Sequence, residues 1–282
     1  MEEVHKVSKR ETKFKKDNAE MTFVEHLDDL RTRIFRGLLA IALFSVVAFF
    51  FKDFIFNEVI LKPKDKSFIT NRLMCEAAHR FDAPALCINQ HELKIINIDL
   101  AGQFKAHLLV SVIFGFIIAF PYLVYQLWLF VKPAMKYKEY KYAKSMIFWV
   151  SSLFTIGVLF GYFIIVPLAI NFLSTYSISP EVHNTINFAS YFSAITTTSL
   201  GSGLVFEIPV AAYVLAKLGI VTPEIMKKYR KHAVVFAFIL AGVLTPPDVF
   251  SQVLVAMPVL FLYEFSILIV KRVSKKREIE ML

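Results

Sequence analysis

Residues 108–131 read LLVSVIFGFIIAFPYLVYQLWLFV, a run without a single charged side chain. About 20 apolar residues of helix cross a hydrocarbon core of about 30 Å, so this run predicts a membrane-spanning helix. Spanning β-strands are excluded because they would alternate apolar and polar residues. Further apolar runs bring the prediction to six spans, the last two short, at 37–51, 146–166, 182–216, 233–247 and 249–270. The predicted fold is an all-α integral membrane protein.

The composition of the whole chain agrees with a membrane protein. Of its 282 residues, 56% are hydrophobic and 20% charged, and the mean hydropathy is +0.56. A soluble domain has about 45–50% apolar and about 25% charged residues, so a soluble enzyme and a disordered chain are both excluded. The net charge of +9 indicates nucleic acid only on a water-facing surface. Here the basic residues lie between long apolar runs, and no nucleic-acid partner is expected.

The distribution of Lys and Arg predicts the orientation in the membrane. Short cytoplasmic loops are rich in these residues. Five occur in each of the segments 132–144, 217–231 and 271–282, and none in 173–187. Both termini are therefore expected in the cytoplasm of a cell with an inner membrane. The predicted organisation is a cytoplasmic tail, a membrane domain with a long external loop at 52–106, and a basic cytoplasmic tail, at 1–20, 21–272 and 273–282.

The long external loop contains both cysteines of the chain, Cys75 and Cys87. An oxidising external compartment favours a disulfide between them. Such a bond, closing about a dozen residues, would stabilise the loop by about 2–3 kcal/mol. The alternative is two free thiols in a small helical turn.

Motifs of enzymes and cofactor sites are missing from the sequence. There is no GxxxxGK[ST] nucleotide loop, no HExxH, no CxxC and no GxSxG. The seven histidines have no metal-ligand spacing. We therefore expect no cofactor, no metal and no enzymatic activity.

Charged residues just before the first span form the first candidate site. The segment 23–33 reads FVEHLDDLRTR, and its helical spacing puts Asp29 four residues before Arg33. One interpretation is an interfacial helix whose arginines bind anionic lipid headgroups. Carboxylates gain nothing at a negative surface, however, which leaves a binding role open.

Two further acids lie where a charge is unusual. Glu139 is the only acid in a loop with five lysines, and it is either a solvated counter-ion or a carboxylate that receives a cation. Glu207 lies ten residues before Lys217, about 15 Å into the membrane. An ionisable residue there costs about 2.5–3.5 kcal/mol and is a functional candidate. The alternative is a protonated Glu207 bonded to a polar residue of a neighbouring helix.

Two more positions have structural and functional interpretations. Asp248 follows two prolines between the last two spans, and a tight turn with a helix cap explains it fully. Glu264 is a second acid within a span, in the last predicted helix.

These pieces together resemble one family. The chain is similar to TatC, the multi-span receptor of the twin-arginine protein translocase, through five elements in order: FVEHLDDLRTR at 23–33, YQLWLFVKP at 125–133, Glu139, FEIP at 206–209 and TPPDVFSQ at 245–252. The resemblance implies a protein that binds signal peptides of folded cargo proteins on its cytoplasmic face. It also implies recruitment of TatA-like and TatB-like single-span partners, assembly of several copies in the lipid membrane, and export driven by the proton-motive force.

The resemblance also assigns residues. Asp29 and Glu139 would receive the two arginines of the signal peptide, with Arg31, Arg33 and Phe130 in the same site. The family usually has Glu where this chain has Asp29, and Asp28 beside it could share the role. A groove for a partner helix or the inserted signal peptide would involve four residues: Glu207, Pro209, Asp248 and Gln252.

Two other functions remain possible from the residues alone. A proton-coupled small-molecule transporter would use Glu207 as its coupling acid, although no internal repeat of the kind usual in transporters is visible. A purely structural scaffold would leave Asp29, Glu139 and Glu207 without any role.

Overall fold

A computed structural model describes residues 23–90, 93–131, 143–179, 181, 185–245 and 249–281. The two strands in this part are β1 (Ile95–Ile96) and β2 (Ile186–Asn187). Its α-helices are α1 Phe23–Phe50, α2 Ile69–Arg80, α3 Gly102–Val131, α4 Ala143–Phe160, α5 Val166–Thr175, α6 Phe188–Val205, α7 Ile208–Leu218, α8 Pro223–Lys228, α9 Arg230–Leu244 and α10 Val249–Met281. The described residues are mostly helical, which agrees with the predicted all-α class.

Among the described residues, five helical segments are long and apolar enough to cross a membrane: Val24–Phe50, Gly102–Val131, Met146–Thr175, Phe188–Leu218 and Gln252–Lys275. The predicted span at 233–247 corresponds to α9. With 15 residues, α9 is about 22 Å long, less than the hydrocarbon thickness of about 30 Å.

The prediction that the last helix is short is wrong. Helix α10 has 33 residues, because it continues from the apolar run through Lys271, Arg272 and Lys275. Lys, Arg and Glu are strong helix formers, so the end of an apolar run does not end the helix. Only α9 is short among the predicted spans.

The predicted fourth span is interrupted at Phe206 and Glu207. These two residues form a turn between α6 and α7. Pro209 lacks a backbone N–H and fits the first turn of a helix, which explains why α7 starts beside it. The carbonyl of Glu207 accepts from the N–H groups of Val210 and Ala211, both at 3.0 Å. Glu207 thus lies at a helix start and not in the middle of a continuous helix.

Small residues allow the helices to approach closely. A Cβ atom added at Gly115 of α3 would lie 2.6 Å from the backbone nitrogen of Ser45 in α1. One added at Gly157 of α4 would lie 2.7 Å from the backbone oxygen of Ser202 in α6. Backbone-to-backbone approach of this kind replaces the missing hydrophobic driving force between helices in a membrane.

Residues 54–90 fold into a compact cap, here called the loop cap, at one end of the helices. It consists of a π-helical turn at Phe54–Ile60, a 3₁₀ turn at Lys62–Lys64, helix α2 and a second 3₁₀ turn at Pro84–Leu86. A disulfide joins Cys75 of α2 to Cys87. Strands β1 and β2 pair in parallel beside it, with Ile95 opposite Ile186.

The loop cap is fastened to the α4–α5 segment by hydrogen bonds. Tyr162 Oη donates to the carbonyl of Val59 at 2.6 Å, and the hydroxyl of Thr70 donates to the carbonyl of Phe163. Pro167, which has no N–H, lies four residues after Phe163 and leaves that carbonyl without its usual helical partner. The hydroxyl of Thr70 in the loop cap therefore satisfies the carbonyl of Phe163, which Pro167 leaves free.

Candidate functional site

The first candidate site lies at the end of the bundle opposite the loop cap. This end, where α1 begins and α3 ends, is here called the basic end. There Arg33 Nε donates to Asp29 Oδ2 at 2.7 Å. The two side chains are 18% and 20% exposed, so the pair is largely shielded from water. The structure brings together these two residues, which the sequence predicted at helical spacing.

Aromatic stacking fixes this part of α1 against the end of α3. The ring of His26 stacks on the ring of Phe130, with the ring centroids 4.3 Å apart. Further along the same face, a Cβ atom added at Gly37 would lie 2.9 Å from a methyl carbon of Leu123. Since residues three and four apart share a helix face, Asp29 lies on the α3-facing side of α1.

Arg31 and Asp28 lie elsewhere on the same helix. Both side chains are exposed, and neither forms an ion pair with another described residue. Arg31 borders a shallow apolar groove together with Ile34 and Leu38. The structure does not bring Arg31 to Asp29, because residues two apart in a helix do not face each other.

Two predicted site residues, Glu139 and Asp248, lie outside the described residues. Helix α3 is described to Val131, eight positions before Glu139. Helix α10 begins at Val249, directly after Asp248.

The second candidate site surrounds Glu207 at the break between α6 and α7. Neither carboxylate oxygen of Glu207 forms a hydrogen bond of good geometry with a described residue, and both are buried. The hydroxyls of Ser199 and Ser202 on α6 are also buried without such a partner. A buried polar group without a partner is costly, so these atoms would gain from any group that supplied a hydrogen bond.

The side chain of Gln252 binds the backbone of the neighbouring helix α9. Its Nε2 donates to the carbonyl of Phe238 at 3.0 Å. Thr198 of α6 donates to the carbonyl of Leu244, at the end of α9, at 3.1 Å. Gln252 and Thr198 thus fasten the short helix α9 between α6 and α10.

Glu264 forms an ion pair that sequence analysis missed. Arg230 Nη2 donates to Glu264 Oε2 at 2.7 Å. The two residues are 34 positions apart, so no local spacing could have revealed the contact. The stacking of His26 on Phe130 was missed for the same reason.

The chemistry available at these sites is recognition, with carboxylates as acceptors. Among the residues described, no group of three or more His, Cys, Asp or Glu side chains could hold a metal ion. A carboxylate such as that of Asp29 binds the planar fork of a guanidinium through charge-assisted hydrogen bonds.

Comparison with known proteins agrees with this arrangement. Residues 25–258 match the family model described as Sec-independent protein translocase protein (TatC). The chain is 37% identical over 265 residues to the TatC protein of Blattabacterium sp. subsp. Periplaneta americana, covering 93% of this chain and 100% of the relative. It is 35% identical to the TatC protein of Carboxydothermus hydrogenoformans, covering 91% and 95% of the two chains.

A solved structure has the same fold. The crystal structure of the twin-arginine translocase receptor TatC in DDM superimposes with a TM-score of 0.68 at 31% identity, covering 88% of this chain and 100% of the other. Helical architecture, sequence and solved structure agree on a membrane-embedded component of a protein translocase with no enzymatic activity. The chain therefore belongs to the TatC family of Sec-independent protein translocase proteins.

Proposed function

We propose that this chain is the receptor that binds the arginine pair in the signal peptides of folded cargo proteins. The observation that carries the proposal is the position of Asp29, a carboxylate only 20% exposed, on the α3-facing side of α1 at the basic end. The ring of Phe130 at the end of α3 stacks on His26, three positions before Asp29, and Glu139 follows α3 in the sequence. Asp29 and Glu139 are proposed as the two carboxylates that receive the arginines.

The helix geometry favours Asp29 over Asp28 in this role. Successive residues of an α-helix are about 100° apart, so Asp28 lies on a different face from Asp29. A guest that contacts both α1 and the segment after α3 needs a carboxylate on the side shared with α3. Asp28 is exposed and serves better as part of the solvated surface.

The proposed orientation places the basic end in the cytoplasm, with both termini, and the loop cap outside the inner membrane. The high density of Lys and Arg in the short segments of the basic end supports this orientation. The disulfide between Cys75 and Cys87 suits an oxidising external compartment. Signal peptides would then reach Asp29 from the side where cargo proteins are made.

We further propose that the break at Glu207 and Pro209 forms part of a groove for a partner helix or the inserted signal peptide, with Gln252 and Asp248 contributing to it. The partners would be TatA-like and TatB-like single-span proteins, and several copies of the chain would assemble in the receptor complex. The buried carboxylate oxygens of Glu207, which lack a described partner, support this assignment. Transport would draw on the proton-motive force.

The test is photo-crosslinking in membrane vesicles. Probes replace residues next to Asp29 and Glu139, and the bait is a signal peptide with Arg-Arg or, as the matched control, Lys-Lys. We expect an adduct that requires Arg-Arg and that is lost in Asp29→Asn and in Glu139→Gln. Adducts indifferent to the arginine pair and to both substitutions would overturn the assignment.

A proton-coupled small-molecule transporter is the second candidate, and the unpartnered carboxylate of Glu207 favours it. Uptake of a small solute into proteoliposomes, driven by a proton gradient and abolished in Glu207→Gln, would support this alternative. Uptake that is absent in proteoliposomes active in signal-peptide binding would exclude it.

A further inference from the structure

The carboxylate assigned above to a signal-peptide arginine already has an arginine bound to it. Arg33, one helical turn further along α1, donates from Nε to Asp29 Oδ2 at 2.7 Å. Both side chains are less than a quarter exposed, at 18% and 20%. In the free protein the receptor carboxylate is thus occupied by a group with the same chemistry as the proposed guest.

The sequence makes this pair a persistent one. An acid four residues before a base is the favourable order on a helix, because each charge also faces the favourable end of the helix dipole. Shielding from water reduces the screening that makes fully exposed pairs weak. The hydrogen bond is at the short end of the range for charge-assisted bonds. A guest therefore does not meet a free carboxylate.

Simultaneous binding of two guanidiniums at Asp29 is unfavourable. One carboxylate carries one negative charge, and a guest arginine beside Arg33 would place two positive charges within a few ångströms of each other. Arg31 and Arg36, both exposed on the same helix, add to the positive potential. The favourable exchange is for one guanidinium to leave as the other arrives.

We propose that Arg33 is an internal competitor for Asp29: its guanidinium occupies the carboxylate in the free protein and leaves when a signal-peptide arginine binds. This inference rests on the proposed function, since it needs Asp29 to be the receiving group. The released side chain is long enough to reach water or a lipid phosphate at the membrane surface, so its charge is not stranded.

Competition of this kind has a defined thermodynamic consequence. The apparent dissociation constant equals the intrinsic one divided by the fraction of molecules in which Asp29 is open. This factor is the same for every guest that needs the open carboxylate. Removing Arg33 should therefore tighten the binding of Arg-Arg and Lys-Lys peptides equally and leave their ratio unchanged.

A positioning role for Arg33 predicts the opposite. If Arg33 instead held Asp29 in the rotamer that clasps a guest, its removal would weaken binding. The planar fork of arginine depends more on this geometry than the point charge of lysine does. The ratio between the two peptides would then also fall.

The experiment measures binding of fluorescent signal peptides to the purified full chain in detergent micelles by anisotropy. The variant is Arg33→Gln, and the matched control is Arg36→Gln, which removes the same charge from an exposed position three residues away. We expect Arg33→Gln to bind both the Arg-Arg and the Lys-Lys peptide about two- to tenfold more tightly. Arg36→Gln should change neither affinity by that factor. Arg33→Lys, which keeps a cation, should lie between Arg33→Gln and the unaltered chain.

Three results would overturn the proposal that Arg33 competes with the signal peptide for Asp29. Weaker binding by Arg33→Gln would make Arg33 a positioning residue. Equal tightening in Arg36→Gln would reduce the effect to overall charge. An unchanged affinity in Arg33→Gln would show that the pair does not limit access. If Arg33→Gln does not remain monodisperse, Arg33→Lys alone still tests the direction of the effect.

Asp29→Asn separates this inference from the proposed function. If Asp29→Asn loses affinity for the Arg-Arg peptide and Arg33→Gln gains none, the proposed receptor function is supported. The proposal that Arg33 competes for Asp29 is then refuted. When Asp29→Asn binds the peptide as well as the unaltered chain does, Asp29 is not the receiving group, and both proposals fail at this site.

Discussion

Replacement of Asn71 by alanine should loosen the loop cap from the α4–α5 segment. Asn71 is fully buried in α2. Its Nδ2 donates to the carbonyls of Pro63 and Asp65, at 3.0 and 2.8 Å, and its Oδ1 accepts from Asn89 Nδ2 at 3.1 Å. Asn89 in turn donates to the carbonyl of Pro167 at 3.0 Å. Asn71 thus links the segment around Pro63 to Asn89 near the end of the loop cap, and Asn89 links the loop cap to helix α5.

The cost of the substitution follows from the groups that alanine leaves unpaired. Asn89 Nδ2 keeps its bond to the carbonyl of Pro167, and the carbonyl of Asp65 keeps the N–H of Phe68 at 3.1 Å. The carbonyl of Pro63 loses the Asn71 donor. An unsatisfied buried group costs about 1–3 kcal/mol, so the stability of the loop cap should fall by about 1–3 kcal/mol. This corresponds to local opening that is about 5- to 150-fold more frequent.

Hydrogen exchange of peptides from the loop cap, read by mass spectrometry on the chain in detergent micelles, measures this opening directly. The matched control is Asn57→Ala, in the exposed part of the π-helical turn, where we expect a change below about 0.5 kcal/mol. Peptides of α3 should exchange alike in both variants. Exchange of the loop cap in Asn71→Ala that is no faster than in Asn57→Ala would refute the reasoning.

Three other perturbations test the helix packing and the two acids that lie within predicted spans. Gly115→Ala should lower thermal stability by about 1–3 kcal/mol, because the new Cβ would meet the backbone of α1. Gly37→Ala is the control and should cost less, because its Cβ meets only a movable leucine methyl. Equal melting temperatures of the two variants would contradict this. Arg230→Ala should lower the melting temperature by leaving Glu264 unpaired, and Glu264→Gln in the same chain should restore it; the absence of rescue would refute the pairing. Glu207→Gln should melt at or above the temperature of the unaltered chain, because it removes an unpartnered acid from the membrane interior; a lower melting temperature would show that the carboxylate stabilises the fold.

The sequence predicted those features that depend on residues close together in the chain. Long apolar runs predict spans because the thickness of the membrane sets their length. The pairing of Asp29 with Arg33 follows from helical spacing alone. Pro209 is a local signal for the start of α7, but the apolar run at 182–216 predicted one continuous span, so the turn at Phe206 and Glu207 was not predicted.

Features that depend on distant residues could not be predicted. Asn71 and Asn89 lie 18 positions apart, and Asn89 and Pro167 lie 78 apart. Nothing in the periodicity of either segment encodes such a contact. The end of α10 was missed for another reason: hydropathy records where the membrane ends, whereas helix propensity continues through the lysines and arginines that follow.

The polar groups in different parts of the molecule differ in whether they have hydrogen-bond partners. This difference bears on where partner proteins bind. At the loop cap, the carbonyl freed by Pro167, the Asn71 side chain and the Nδ2 of Asn89 have partners from within the chain. At the basic end, Asp29 has a partner that, in our proposal, a guest guanidinium replaces at little net cost, since one guanidinium substitutes for another. At the break before α7, neither carboxylate oxygen of Glu207 has a hydrogen bond of good geometry with a described residue. A partner that can be exchanged suits reversible recognition, because the carboxylate of Asp29 remains paired in the free protein. An unpartnered acid suits a contact that forms only after assembly, because the missing hydrogen bond itself favours whatever supplies it.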